Sequence, residues 1–510
     1  MTTIEGHSGR GPLTVTPPAA AVTCALAGLG SLLLLLRPGE EVGYALAIPF
    51  GMLIVAVSVY RIEWGVMILL AMNLLFDQTS TSTSIPYHIP LNRDPLVSDA
   101  GITILTPFEA HLVFLLLVWF VGFALNRGMH LAPVPLKGGL LAYTGFLAIG
   151  VVQGIAGGAP VTRILWEIRS LALLPVLFFF MPQVIRTRRD LSAVLWISGI
   201  CLSLKALQGA ALFASLGFSF GHWPNVYDVL TANQFDAMLF IGIFALIAGL
   251  TAFSVKGRLR TFLLACLPVL VLGFIAGNRR AAYAATVVCM AVFPFLLPAE
   301  RRRKVLVAAV PLLVLLVVYT AAFWNSYSRL GAVAQALKGT IVRDAEVAGS
   351  RNYSSNLYRE YENYNLASTF RRAPAVGIGF GKTFDTPMLL WVNFGFSTLI
   401  PHNQILWTAA KTGILGVLFF WGFTNAVLAY GGTLLRRGSD PLFGAVCVMA
   451  LLTLVSFLVG AFVDYQLSVT RNMVFLGSLL GLLPVVARLS TTTESESSDR
   501  NPAPSSVGGV

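Results

Sequence analysis

Apolar residues run along this chain in blocks rather than in alternation. VTCALAGLGSLLLLL, FEAHLVFLLLVWFVGFAL and VLVAAVPLLVLLVVYTAAF are almost free of charge. A helix crossing a bilayer core needs about 20 such residues. Only a helix satisfies all its own backbone hydrogen bonds in lipid. The pattern predicts about fourteen helical spans, near 21–36, 42–60, 62–76, 107–126, 138–157, 165–182, 191–215, 234–254, 261–277, 281–298, 305–323, 403–429, 442–463 and 473–488. The expected fold class is all-α, a polytopic integral membrane helical bundle with one long outer loop containing helices.

The polar segments between blocks set an orientation. NRGMHLAPVPLK, IRTRRD, VKGRLR, ERRRK and LLRRGSD are basic, and two spans separate each from the next. The positive-inside rule makes these loops cytoplasmic and brings both termini to that side. The expected organisation is then a disordered cytoplasmic N-terminus over 1–20, helices 1–11 over 21–323, an outer loop over 324–401, helices 12–14 over 402–488, and a disordered cytoplasmic tail over 489–510. The opening MTTIEGHSGRGPLTVTPPAA has no cleavage pattern, so the first apolar run reads as a retained helix.

Composition agrees with a membrane solvent. Of 510 residues, 56% are hydrophobic and 11% charged, against about 25% charged in soluble domains. Much of the net charge of +12 sits in the cytoplasmic anchors, so it calls for no nucleic-acid partner. Cys24, Cys201, Cys266, Cys289 and Cys447 all fall inside apolar runs and read as small core residues. The six histidines show no spacing suited to a metal.

The long outer loop carries the distinctive chemistry. Its AVGIGFGKTF superficially matches a nucleotide phosphate loop, which needs Gly, four residues, then Gly-Lys-Ser/Thr. The first position of that pattern is Val376, and ATP is scarce outside the cell. Gly377, Gly379 and Gly381 instead suit a tight turn back to the membrane. Upstream, Tyr353, Leu357, Tyr361 and Tyr364 recur at helical spacing and predict an amphipathic helix ending before Pro374. The loop also holds Arg329, Arg343, Arg351, Arg359, Arg371, Arg372 and Lys382. Such cations meet lipid headgroups or grip a phosphorylated ligand.

Arg359, the helix to Pro374, the GxGxG run and then PHNQILWTAAKTGILGVLFFW resemble the signature of the O-antigen ligase and O-antigen polymerase superfamily. His402-Asn403 followed by Thr-Gly-Ile-Leu-Gly opening an apolar helix is the most specific part. The resemblance implies a metal-independent membrane glycosyltransferase without cofactor. Its donor would be a glycan on a polyprenyl diphosphate and its acceptor a lipid core or another polysaccharide, with inversion at the anomeric carbon. It makes 324–401 the catalytic loop and places the protein in a bacterial inner membrane, multi-pass, with the site facing outward.

Individual residues follow. His402 stands at the outer mouth of span twelve, where imidazole can take a proton from a sugar hydroxyl. Asn403 would orient it or bind glycan. Arg279 and Arg280, at the outer turn between spans nine and ten, are costly there unless exposed or bound to an anion. The resemblance assigns one of them, with Arg359, to the diphosphate. Arg163 and Arg169 at the start of span six are further phosphate contacts, or Arg169 pairs structurally with Glu167. Lys205, mid-span, is either functional or an internally bonded lysine. Asp464 is a partner for His402 or an arginine, or a plain loop acid. Gly377, Gly379 and Gly381 complete the substrate-binding set. Ligase and polymerase share the motif and stay undecided. The alternative from another class is a lipid-linked glycan flippase or other transporter using the same basic cavity.

Overall fold

The computed structural model describes residues 51–75, 107–125, 131–215, 236–277, 279–326, 331, 334, 338, 350–390, 398–438 and 440–500. The expected span at 21–36, the first part of 42–60 and the expected disordered segment 1–20 lie outside them. All regular structure among the described residues is helical. In chain order the helices are α1 (Gly51–Tyr60), α2 (Ile62–Leu75), α3 (Pro107–Ala124), α4 (Lys137–Ala156), α5 (Val161–Val184), α6 (Arg188–Ser215), α7 (Asp236–Ala252), α8 (Arg258–Ala276), α9 (Arg280–Leu296) and α10 (Ala299–Ala322). They continue with α11 (Ser350–Arg372), α12 (Gln404–Arg437), α13 (Pro441–Ala461) and α14 (Thr470–Arg500). Eight of them (α4, α5, α6, α8, α10, α12, α13, α14) are long and apolar enough to cross a membrane. The chain is a multi-pass helical membrane protein.

Burial sorts the bundle into centre and rim. α13 is almost wholly buried, packed between α7, α9 and α12. α14 lies along α5, where Gly477 and Gly481 face Leu174, Leu177 and Met181. A Cβ at Gly477 would stand 2.8 Å from the Leu174 carbonyl oxygen. Small residues one turn apart let two backbones approach this closely, which drives helix association where both solvent and side chains are apolar. α10 is the opposite case, with Val310, Leu313, Val314, Leu315, Val317 and Val318 all exposed. An apolar helix with an exposed apolar face is stable only against lipid.

The two ends of the bundle differ. At one, Arg188 pairs with Asp440, which also caps α13 by accepting the Leu442 N–H at 2.8 Å. Arg488 donates to the Ile185 carbonyl there at 2.6 Å. At the other end α11 packs on α12 and reaches the start of α9 through Asn356 and Arg280. α14 itself continues to Arg500, past residue 488, where a tail was expected. A helix already nucleated extends at the cost of one residue per hydrogen bond, so polar STTTESESSDR can follow it.

α11 is a helix as expected, but its buried stripe is not the tyrosine one. Tyr358, Glu362, Asn365, Leu366 and Thr369 are buried, while Tyr364 is 54% exposed. Tyr353 lies outside the described side chains. Apolar periodicity misleads here because the polar groups find partners. Asn365 exchanges both its amide atoms with the Met388 backbone, at 2.8 and 2.9 Å. Thr369 Oγ1 accepts the Asp385 N–H at 2.9 Å. A buried polar group so satisfied costs little.

Candidate functional site

The site is organised by a break in α12. Gly413 takes φ 62°, and the helix opens there. The GxGxG segment inserts into the gap. Ile378 N–H donates to the Ala410 carbonyl at 3.0 Å, Gly379 N–H to the Lys411 carbonyl at 2.9 Å, and Ile414 N–H to the Pro374 carbonyl at 2.8 Å. Gly377, Gly379 and Gly381 have φ of 70°, 87° and 79°. This left-handed region suits glycine. A Cβ at Gly377 would collide with the Lys411 backbone, and one at Gly379 with the Gly154 backbone. These glycines are therefore packed against α4 and α12, which gives them a structural task rather than an open ligand-facing surface.

A buried ion pair locks this insertion. Lys411 Nζ lies 2.7 Å from Glu167 Oε1 and also donates to the Lys382 carbonyl. Glu167 Oε2 accepts the Gly381 N–H at 2.7 Å. The expected Arg169–Glu167 pair is thus replaced by two others, since Arg169 Nε meets Glu109 Oε1 at 2.9 Å. Residues two apart on a helix point to different sides, so Glu167 and Arg169 serve different neighbours.

Below α11 the charged residues converge. His402 Nδ1 lies 3.2 and 3.3 Å from the two carboxylate oxygens of Glu362, and the His402 backbone N–H donates to Glu362 Oε2 at 2.8 Å. Arg279 Nη1 stands 3.2 Å from Asp464 Oδ2. Arg280 donates to Asn356 Oδ1 at 3.1 Å and Ser355 Oγ at 3.4 Å, and Arg359 donates to the same Ser355 Oγ at 3.0 Å. Ser355, Asn356, Arg359 and Glu362 recur at three to four residues, so one face of α11 supplies them all. The rings of Tyr358 and Tyr465 stand edge-on to the His402 ring, at 5.7 and 6.2 Å.

Electrostatics ties these groups into one site. Burial alone would raise the Asp464 carboxyl, but Arg279, His402 and Arg359 together hold it below the usual range. Burial pushes the Arg359 guanidinium down; Arg279 adds to this, while Asp464 and Glu362 oppose it. Burial, then the neighbouring carboxylates, lifts the hydroxyls of Tyr358 and Tyr465 to about 12, so both remain donors at neutral pH. Arg359 Nε is buried without a hydrogen-bond partner among the described residues. Among the described residues three guanidiniums stand with two carboxylates, an excess of positive charge.

The remaining candidates fall elsewhere. Asn403 caps α12, its Oδ1 accepting the Leu406 N–H at 3.0 Å. Arg163 is exposed at the start of α5, with no described contact to the cluster. Lys205 is buried and bonded internally, donating to Gln208 Oε1 at 3.1 Å and lying 3.9 Å from Asp236 Oδ2. Asp236 also pairs with Arg471, which donates to the Asn73 and Leu74 carbonyls at 2.9 and 2.6 Å. From there Asn472 reaches Gln466 at 2.7 Å, and Gln466 reaches Asp464 at 3.1 Å. Lys205 therefore belongs to a polar network behind the site. Among the described residues no group of three His, Cys, Asp or Glu is placed to hold a metal ion. An apolar groove of about 300 Å³ lined by Phe244, Ile247, Leu267, Phe293 and Val305 contributes no ionisable group.

Glu362, Tyr358, Ser355, Tyr465 and Lys411 were not singled out from the sequence, and Glu167 was seen only as a neighbour of Arg169. Glu362 had one available signal, its position one helical turn after Arg359.

A multi-pass helical protein with a cationic, histidine-bearing site beneath a helix lying across one bundle end defines the class. Residues 262–421 match the family model described as O-antigen ligase. Arg279, Arg280, Arg359, Glu362, His402 and Gly413 all lie in the matched stretch. Over that stretch the chain is similar to O-antigen ligases, and the match supports a membrane enzyme of glycan transfer in general terms. No curated protein matches the chain.

Proposed function

We propose that the protein transfers a glycan from a polyprenyl-diphosphate carrier to a lipid-core or polysaccharide acceptor, at the outer face of a bacterial inner membrane. The convergence of His402 with Arg279 and Arg359 around Asp464 carries this reading. His402 is the general base for the acceptor hydroxyl. The hydroxyl O–H bond breaks toward imidazole as its oxygen attacks the anomeric carbon. The bond from that carbon to the diphosphate breaks, and the electron pair leaves with the diphosphate.

Arg279, Arg280 and Arg359 neutralise the departing charge. Fixed cations aimed at charge that develops in the transition state are usually the largest catalytic contribution. Arg279 exchanges Asp464 for a phosphate oxygen when the donor binds. The diphosphate linkage supplies the driving force, so no nucleotide is consumed. The positive-inside rule supports a cytoplasmic basic end, with α11 then on the outer side, where a lipid-linked donor would arrive.

The test uses purified protein, a synthetic polyprenyl-diphosphate glycan and two acceptors, a lipid-core oligosaccharide and a second lipid-linked glycan. Transfer to the first marks a ligase and to the second a polymerase. Failure with both, together with movement of the intact lipid-linked glycan across a vesicle membrane, would replace this reading with a transporter.

A further inference from the structure

We infer that Glu362 is a positioning residue that sets the tautomer of His402, an inference resting on His402 as the base. Glu362 is fully buried, and one carboxylate holds both the main chain and the ring of His402. An ionised carboxylate only accepts hydrogen bonds. Nδ1 must then carry the hydrogen, and Nε2 keeps the lone pair. Tyr358 and Tyr465 pack the ring edge-on and limit its rotation.

The arrangement also answers where the positive charge goes. When Nε2 takes the acceptor's proton, the imidazolium lies against Glu362, with Asp464 close enough to interact. Arg279 and Arg359 act on the same Asp464 carboxylate. The groups facing His402 are thus Tyr358 and Glu362 from α11, and Asp464 and Tyr465 from the segment after α13, with Arg279 and Arg359 reached through Asp464. Glu362 is the carboxylate in direct contact with the ring. The proton passes from Nε2 to water once the product has formed.

Glu362→Gln separates this role from a packing role. Its amide donates to Nδ1 and forces the hydrogen onto Nε2, where it blocks the base. The expected result is a kcat lower by roughly a hundredfold or more, as for a base held in the wrong tautomer. The KM for the lipid-linked donor stays within about threefold, because Glu362 binds no phosphate, and a uniform binding loss would raise KM instead. Glu362→Asp restores part of kcat. An unchanged kcat in Glu362→Gln, with His402→Ala inactive, would overturn the positioning role alone. Full activity in His402→Ala would overturn the base itself. A readout that needs no Glu362 variant is the ¹⁵N spectrum of histidine-labelled wild-type protein, with His402 assigned by its loss in His402→Ala. Hydrogen on Nδ1 at high pH supports the inference, and hydrogen on Nε2 refutes it.

Discussion

Two sets of buried charges lie near the α11 end of this bundle, and they are built differently. Glu167 and Lys411 form a closed pair at 2.7 Å, both side chains fully buried. Their other bonds go to backbone, to Gly381 N–H and the Lys382 carbonyl. Charge is balanced and every contact holds the GxGxG segment in the opening of α12. Around His402 the balance fails. Arg279, Arg280 and Arg359 meet Asp464 and Glu362, and Arg279 and His402 keep about a fifth of their side-chain surface exposed. A balanced, sealed pair is a fastener. A partly open cluster with excess positive charge leaves room for an anion.

The contrast can be broken by substitution. His402→Ala should cost roughly a hundredfold to ten-thousandfold in transfer rate, the range for losing a general base, with an unchanged melting temperature in detergent. A comparable loss of stability would make His402 part of the fastener. Lys411→Met should act the other way, destabilising by about 3–5 kcal/mol because it strands a buried carboxylate. Thermal unfolding in detergent measures it, and Lys411→Met with Glu167→Gln should recover much of the loss.

Asp464→Asn sharpens the comparison through pH. The Asp464 carboxyl is held below its ordinary value when folded. Its stabilisation is therefore complete above the unfolded pKa of about 4 and disappears as pH falls through the lower folded value. Wild type should melt above Asp464→Asn at neutral pH, with the gap closing on acidification below about pH 4. A gap independent of pH would mean that Asp464 acts by shape alone. The smallest effect belongs to Asn403→Ala, about 1 kcal/mol for a lost helix cap, with transfer little changed. A rate loss near that of His402→Ala would return Asn403 to the substrate.

Much of this was legible beforehand for a definite reason. Blocks of apolar residues and interspersed basic loops are local patterns, and the helices follow them closely, as with 137–156 against the expected 138–157. His402, Arg279 and Arg280 were also visible, because a cation or imidazole at the mouth of an apolar run is conspicuous, while Arg359 came from the family resemblance and Asp464 from its place at the end of an apolar run. Glu362 was not, since an acid in a polar loop helix looks like a solvated one. Nor were the partners of Glu167 and Arg169, because a neighbour in sequence competes with Lys411 from 244 residues away. The tyrosine stripe misled because hydrophobicity ranks Tyr364 above Asn365, while the Met388 backbone reverses that order.

The sequence by itself determined that the chain lives in a bilayer, where its helices run, and which residues carry unusual charge. Those properties depend on transfer from water to lipid, which each segment feels alone. The tertiary structure decided which charges meet. It separated the balanced fastener at Lys411 from the cationic cluster at His402, because pairing depends on distances between helices remote in sequence.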